Sequence, residues 1–151
     1  MKFKKLTGPP KFELAPYVKE FIENNKGFDM KIYLGCDSQN KAIKTVYATT
    51  LVFHVASAGC HVIYKKEEVP IIKDMWTRLW KETEYSIEVA EWLKEKIKVK
   101  IQIDLDYNLD EKHFSSKLVQ ASKGWATSLG YEVNLKPDMQ VATRAADYQC
   151  R

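Results

Sequence analysis

Apolar and polar positions follow two periods along this chain, and the switches between them mark its elements. Leu14, Tyr17, Val18, Phe21 and Ile22 recur at helical spacing and predict a short helix over Leu14 to Asn24. Lys31 to Asp37 alternates instead, with Ile32, Leu34 and Cys36 on one face and Tyr33, Gly35 and Asp37 on the other. Two runs rich in β-branched and aromatic residues, about 45–55 and 60–68, flank Ser57-Ala58-Gly59, whose composition suits a hairpin turn. Three strands in a meander follow from this. A helical stretch then runs from about Ile71 to Lys96 behind Pro70. Val99 to Leu105 alternates strictly, Glu111 to Ser128 is helical and stops at Gly130, and Tyr131 to Leu135 is a short strand. A last helix runs from Met139 onward after Lys136-Pro137, while residues 1–12, basic and proline-containing, read as an extended arm. Beyond the arm and first helix the order is β-β-β-α-β-α-β-α. This predicts one α/β domain with a mixed five-stranded sheet: an antiparallel meander extended by parallel strands, with helices on both faces.

Composition narrows the class without choosing a function. The chain has 151 residues, 45% of them apolar, enough for a core without disulfides or structural metal. The longest apolar run, Ala48 to Ala56, is interrupted by His54 and is far short of the ~20 residues a membrane span requires. The start, Met1-Lys2-Phe3-Lys4-Lys5, leads into Gly8-Pro9-Pro10 and lacks the apolar core of a signal peptide, so a cytoplasmic location is expected. Cys36, Cys60 and Cys150 are then expected to be free thiols, and no cysteine or histidine spacing suggests zinc. His54 and His61 fall on paired strands and His113 on a helix, where packed or solvated roles suffice. The balance of 24 Lys+Arg against 20 Asp+Glu, a net +4, neither demands nor excludes a nucleic-acid partner.

The acids carry more information. Asp37 ends its strand between Gly35 and Ser38, where such a residue is more often a turn or cap than a ligand. Asp104 and Asp106 stand together opposite the Val99, Ile101, Ile103 and Leu105 face, near the strand's C-terminal end, where sites in such sheets lie; a solvated polar face is the competing reading. On the long helix, Glu84, Glu88, Glu91 and Glu95 form a solvated stripe. Glu82 differs: it falls about 60° from the apolar centre set by Leu79, Thr83, Ala90, Leu93 and Ile97. A carboxylate there must be paired, protonated or metal-bound. On the last helix Asp138 suits a cap, whereas periodicity gives Asp147 no inward placement.

These residues also form an ordered set: Leu34-Gly35-Cys36-Asp37-Ser38-Gln39, then Lys81-Glu82-Thr83-Glu84-Tyr85-Ser86-Ile87-Glu88, Ile103-Asp104, Lys136-Pro137-Asp138 and Ala145-Ala146-Asp147. The set resembles the ribonuclease H-like fold and, more narrowly, the YkuK-type family of predicted ribonuclease H-related nucleases. The resemblance implies metal-dependent hydrolysis of phosphodiester bonds in RNA or RNA-containing duplexes. Asp37, Glu82, Asp104 and Asp147 would be the catalytic and metal-holding residues, with two Mg²⁺ or Mn²⁺ ions. Ser38, Gln39 and Lys136 would be the substrate contacts. Carboxylates suit such hard cations. The competing expectation is a non-catalytic nucleic-acid-binding domain on the same fold, binding through Lys2, Lys4, Lys5 and Lys11.

Overall fold

A computed structural model describes residues 1–107, 114–135 and 141–150. The chain runs β1 (Lys2–Lys5), β2 (Gly8–Glu13), α1 (Leu14–Asn24), β3 (Met30–Lys41), β4 (Lys44–Val55), β5 (Gly59–Pro70), α2 (Met75–Lys96), β6 (Ile101–Leu105), α3 (Phe114–Ser128), β7 (Glu132–Leu135) and α4 (Val141–Cys150). The strands form one mixed sheet in the order β2-β1-β5-β4-β3-β6-β7. The expected meander is β3-β4-β5, and β6 and β7 add to it in parallel through helical crossovers. Ser57 and Gly59, both with positive φ, shape the turn between β4 and β5.

The sheet has seven strands where five were expected. The two additional strands are the segment expected to be an extended arm, which folds as a β1–β2 hairpin on the β5 edge. Lysines and the Pro9-Pro10 pair hide its strand character in the sequence, and both are common on sheet edges. Phe3 anchors the hairpin, buried with Leu14 and Val18 of α1 in the main core.

Alternation divides the sheet into two faces. Ile32, Leu34, Leu51, Phe53, Ile63, Ile101, Ile103 and Leu105 pack against α1, α2 and α3 in the larger cluster. Tyr33, Val52 and Ala48 meet the small residues Ala142, Ala146 and Cys150 of α4 on the opposite face. Helices therefore cover both faces, as expected. The first long helix begins at Met75, later than the expected Ile71, because the Asp74 side chain accepts a hydrogen bond from the Thr77 N–H at 2.9 Å and fixes the cap. Among the described residues, no helix is long and apolar enough to cross a membrane.

Several residues without an assigned function have modest roles. The His61 ring bonds the Tyr17 hydroxyl at 2.5 Å and stacks on Phe21. Trp80 stacks on Trp125, joining α2 to α3. The three cysteines are free thiols, with Cys36 and Cys150 buried and Cys60 exposed.

Candidate active site

The parallel pairing of β3 with β6 runs from Ile32↔Ile101 to Gly35↔Asp104 and ends there. Beyond that register the two strands no longer pair, and the carboxylates sit around this point. A small crevice is lined by Cys36 from β3, Glu82 and Thr83 from α2, and Asp104, Asp106 and Tyr107 from the end of β6. It is closed to a water-sized guest.

Glu82 is only 5% exposed, in agreement with its place near the apolar side of the helical wheel. The Ser38 hydroxyl, on the same face of the sheet as Leu34 and Cys36, donates to its Oε2 at 2.5 Å. Burial, reinforced by the nearby negative charge of Asp37, holds the Glu82 carboxyl well above the usual carboxylate range. Asp106 pushes in the same direction and the Arg78 guanidinium, one turn earlier on α2, opposes it. Such a raised affinity for a proton marks a place where positive charge would be welcome. Burial likewise pushes the neighbouring Cys36 thiol up, so it is not a thiolate at ordinary pH.

Asp104 is placed differently. It is 1% exposed, and both its oxygens accept hydrogen bonds: Oδ1 from the Asn134 amide of β7 at 2.9 Å, and Oδ2 from the Ala142 N–H of α4 at 2.9 Å. Ala142 is the second residue of α4, so Asp104 serves as a cap supplied from the sheet. Asp106, one period further on, faces Glu82 electrostatically. The chain after it is held by a buried set of hydroxyls: Tyr107 pairs with Thr83 and, at 3.0 Å, with Ser122 of α3. This set joins α2, α3 and the end of β6, and sequence periodicity gave no sign of it because Thr and Ser read as neutral in helical patterns.

Of the residues expected to form the site, Ser38 and Glu82 meet directly, Asp37 acts on Glu82 through its charge from the α4 face of β3, and Asp104 lines the crevice while holding α4. Gln39 follows on β3 opposite Val46 of β4. Lys136 and the Asp147 side chain lie outside the described residues, as do Asp138 and His113. Among the described residues, no three His, Cys, Asp or Glu side chains converge as metal ligands would. The donor chemistry nevertheless suits a hard cation, since Mg²⁺ commonly takes one or two carboxylates and keeps several waters.

A family model described as ribonuclease H-like matches residues 13–151. The chain belongs to the ribonuclease H-like family. That match begins where the edge hairpin ends, at Glu13. Among solved structures, this ribonuclease H-like chain is similar to the N-terminal RNase H domain of a Mycobacterium tuberculosis protein, solved as a fusion with maltose-binding protein. The two are 13% identical at a TM-score of 0.34, with 81% of this chain and 94% of that chain covered. No curated protein matches the sequence.

Proposed function

We propose that this chain is a divalent-metal-dependent nuclease of the YkuK type, hydrolysing phosphodiester bonds in RNA or RNA-containing duplexes in the cytoplasm. Within the ribonuclease H-like family, the observation that carries this reading is Glu82: a carboxyl buried in the crevice that Asp104 and Asp106 also line, with Ser38 as its hydrogen-bond donor and the charge of Asp37 raising its proton affinity. Burying such a group among like charges is unfavourable unless a proton or a cation compensates it. Asp37, Glu82, Asp104 and Asp147 would supply the carboxylates for two Mg²⁺ or Mn²⁺ ions, one or two to each ion with waters completing the shell, and Asp104 would also shape the site through α4. When bound, the ions would supply an activated water and stabilisation of the leaving oxygen. Ser38 orients the Glu82 carboxyl, Tyr107 fixes the backbone that carries Asp106, and Gln39 and Lys136 would contact the substrate backbone.

The test is cleavage of end-labelled RNA and RNA/DNA hybrid with Mg²⁺ or Mn²⁺, together with calorimetric metal titration. The expected result is cleavage that Asp37→Asn and Glu82→Gln each abolish, with metal binding lost in Asp37→Ala. Absence of cleavage together with metal binding that is unchanged in Asp37→Ala sinks the proposal. A non-catalytic nucleic-acid-binding domain is the second reading, and it has its own supporting observation: both Asp104 oxygens already accept protein hydrogen bonds. It is favoured if nucleic acid binds with steep salt dependence and is recovered intact.

A further inference from the structure

The edge hairpin departs from β5 early. β1 pairs with β5 only at Lys4↔Tyr64 and Lys5↔Ile63, so the chain before Lys4 diverges and leaves a notch in the sheet edge. The notch opens into a groove of about 410 Å³ lined by Lys2, Lys4, Lys11, Tyr64 and Lys66, with Lys65 and Glu67 at its margin. Lys65 and Glu67 neutralise each other at 2.9 Å. None of Lys2, Lys4, Lys11 and Lys66 forms an ion pair with a described residue, and Lys2, Lys11 and Lys66 are exposed. Four positive charges thus converge on one concave surface.

The geometry points to this groove as a second contact site, for the phosphodiester backbone of the nucleic-acid strand on which the proposed nuclease acts; the inference rests on that proposed function. Three features select backbone over bases. The charges are ammonium groups, which bind phosphate as point charges. Tyr64 is 7% exposed and its ring is covered by the Lys4 Nζ at 5.3 Å, so it offers no stacking platform. The position also fits: cross-strand pairing puts Lys4 and Tyr64 on the α4 face, the face that also carries Asp37. In the order β1-β5-β4-β3 the groove lies three strand spacings from Asp37, roughly 14 Å at ~4.8 Å per strand. A strand of a few nucleotides, or the second strand of a duplex, spans that distance. Contacts of this kind are indifferent to base sequence and sensitive to salt.

Fluorescence anisotropy with a labelled 15-nucleotide RNA tests the inference, using the full chain in EDTA so that the strand stays intact. Lys2→Gln, Lys11→Gln and Lys66→Gln are combined in one variant. A control combines Lys19→Gln, Lys26→Gln and Lys98→Gln, which removes the same charge from exposed positions elsewhere. Each phosphate contact contributes a salt slope of about 0.7 for single strands, so three contacts account for a ~20-fold difference in affinity loss between 50 and 200 mM salt. The expected result is a salt dependence shallower by about that factor in the groove variant, with the control close to wild type. Equal losses in the two variants, or no loss in either, overturn the groove while leaving the nuclease proposal standing. Competition by polyglutamate as effective as polyuridylate at equal charge overturns it in favour of an acidic protein. Failure of the wild type to bind RNA, DNA or hybrid overturns this inference and the nucleic-acid reading beneath it together.

Discussion

Removing the Asp104 carboxylate takes away its hydrogen bonds from the Asn134 amide and the Ala142 N–H, and their consequences differ. Asn134 keeps a second acceptor, the Gln102 side chain at 3.0 Å, so its amide is not stranded in Asp104→Ala. The Ala142 N–H has no such substitute among the described residues, and Ala142 is fully buried. Losing a cap costs about 1 kcal/mol, and losing a negative charge at a partly buried helix N-terminus adds roughly 0.3–2 kcal/mol. The expected penalty is therefore roughly 1.3–3 kcal/mol, concentrated in the docking of α4, which meets the sheet mainly through Ala142, Ala146 and Cys150. Cys150 reports that docking directly. In the closed state its thiol is buried, donates to the Asp37 carbonyl at 3.1 Å and has its pKa pushed up to about 12, chiefly by burial. Alkylation therefore requires α4 to lift, and its rate follows the open population. A penalty of roughly 1.3–3 kcal/mol multiplies that population roughly 10- to 150-fold. Maleimide labelling followed by peptide mass spectrometry measures this, with exposed Cys60 as the fast reference and Cys36, buried on the α2 face, as the slow one. The capping role is refuted if Cys150 labelling in Asp104→Ala stays within twofold of wild type.

Two further outcomes follow from the crevice. Burial and Asp37 raise the Glu82 pKa in the folded state above its usual 4.5, so the native protein holds a proton that the unfolded chain has released. Its stabilising contribution is complete below the unfolded value and is lost as pH rises from there through the folded value, at no more than ~1.4 kcal/mol per pH unit. In metal-free buffer, Glu82→Gln should flatten the decline of Tm between pH 5 and 8; parallel curves for variant and wild type would contradict the assignment. Tyr107→Phe removes one member of the buried hydroxyl set but leaves Thr83 donating to Ser122 at 3.2 Å, so a loss of only ~1 kcal/mol in urea unfolding is expected. A loss above ~3 kcal/mol would show that Thr83 and Ser122 are left unsatisfied without the Tyr107 hydroxyl instead of pairing with each other.

Periodicity alone revealed much of this fold, and for identifiable reasons. In the meander β3 alternates in its first half, whereas β4, buried on both faces, is legible as a β-branched and aromatic run, and β6 alternates because one of its faces packs on the apolar helices. The edge hairpin was hidden because an edge strand needs no alternating apolar face: Phe3 is its one deeply buried side chain in β1, and lysines occupy the rest. The helix start was displaced because Pro70 still belongs to β5, pairing with Lys44, while Asp74 makes the cap. Among the acids, Glu82 was legible because a charge near an apolar helix face conflicts with packing. The different settings of Asp104 and Asp106 were not, since alternation assigns both to one face.

The end of strand pairing resolves that ambiguity. Asp104 is the last β6 residue paired with β3 and is also paired with Asn134 of β7, so it sits inside the regular ladder where its side chain is committed to the α4 face. Asp106 lies one residue beyond β6, where no ladder dictates its direction, and Tyr107 anchors the following backbone toward α2 and α3. Two acids on one nominal face thereby acquire different work: one fixes where α4 lies, the other faces the buried Glu82. Because α4 carries Asp147, the backbone position of that residue depends on the Asp104 cap even where Asp104 touches nothing else. A substitution at Asp104 can therefore lower activity without Asp104 contacting a metal or a substrate. Activity loss at Asp104 distinguishes the two roles only when measured beside Cys150 protection: loss with α4 still closed points to direct participation, and loss that tracks α4 opening points to positioning.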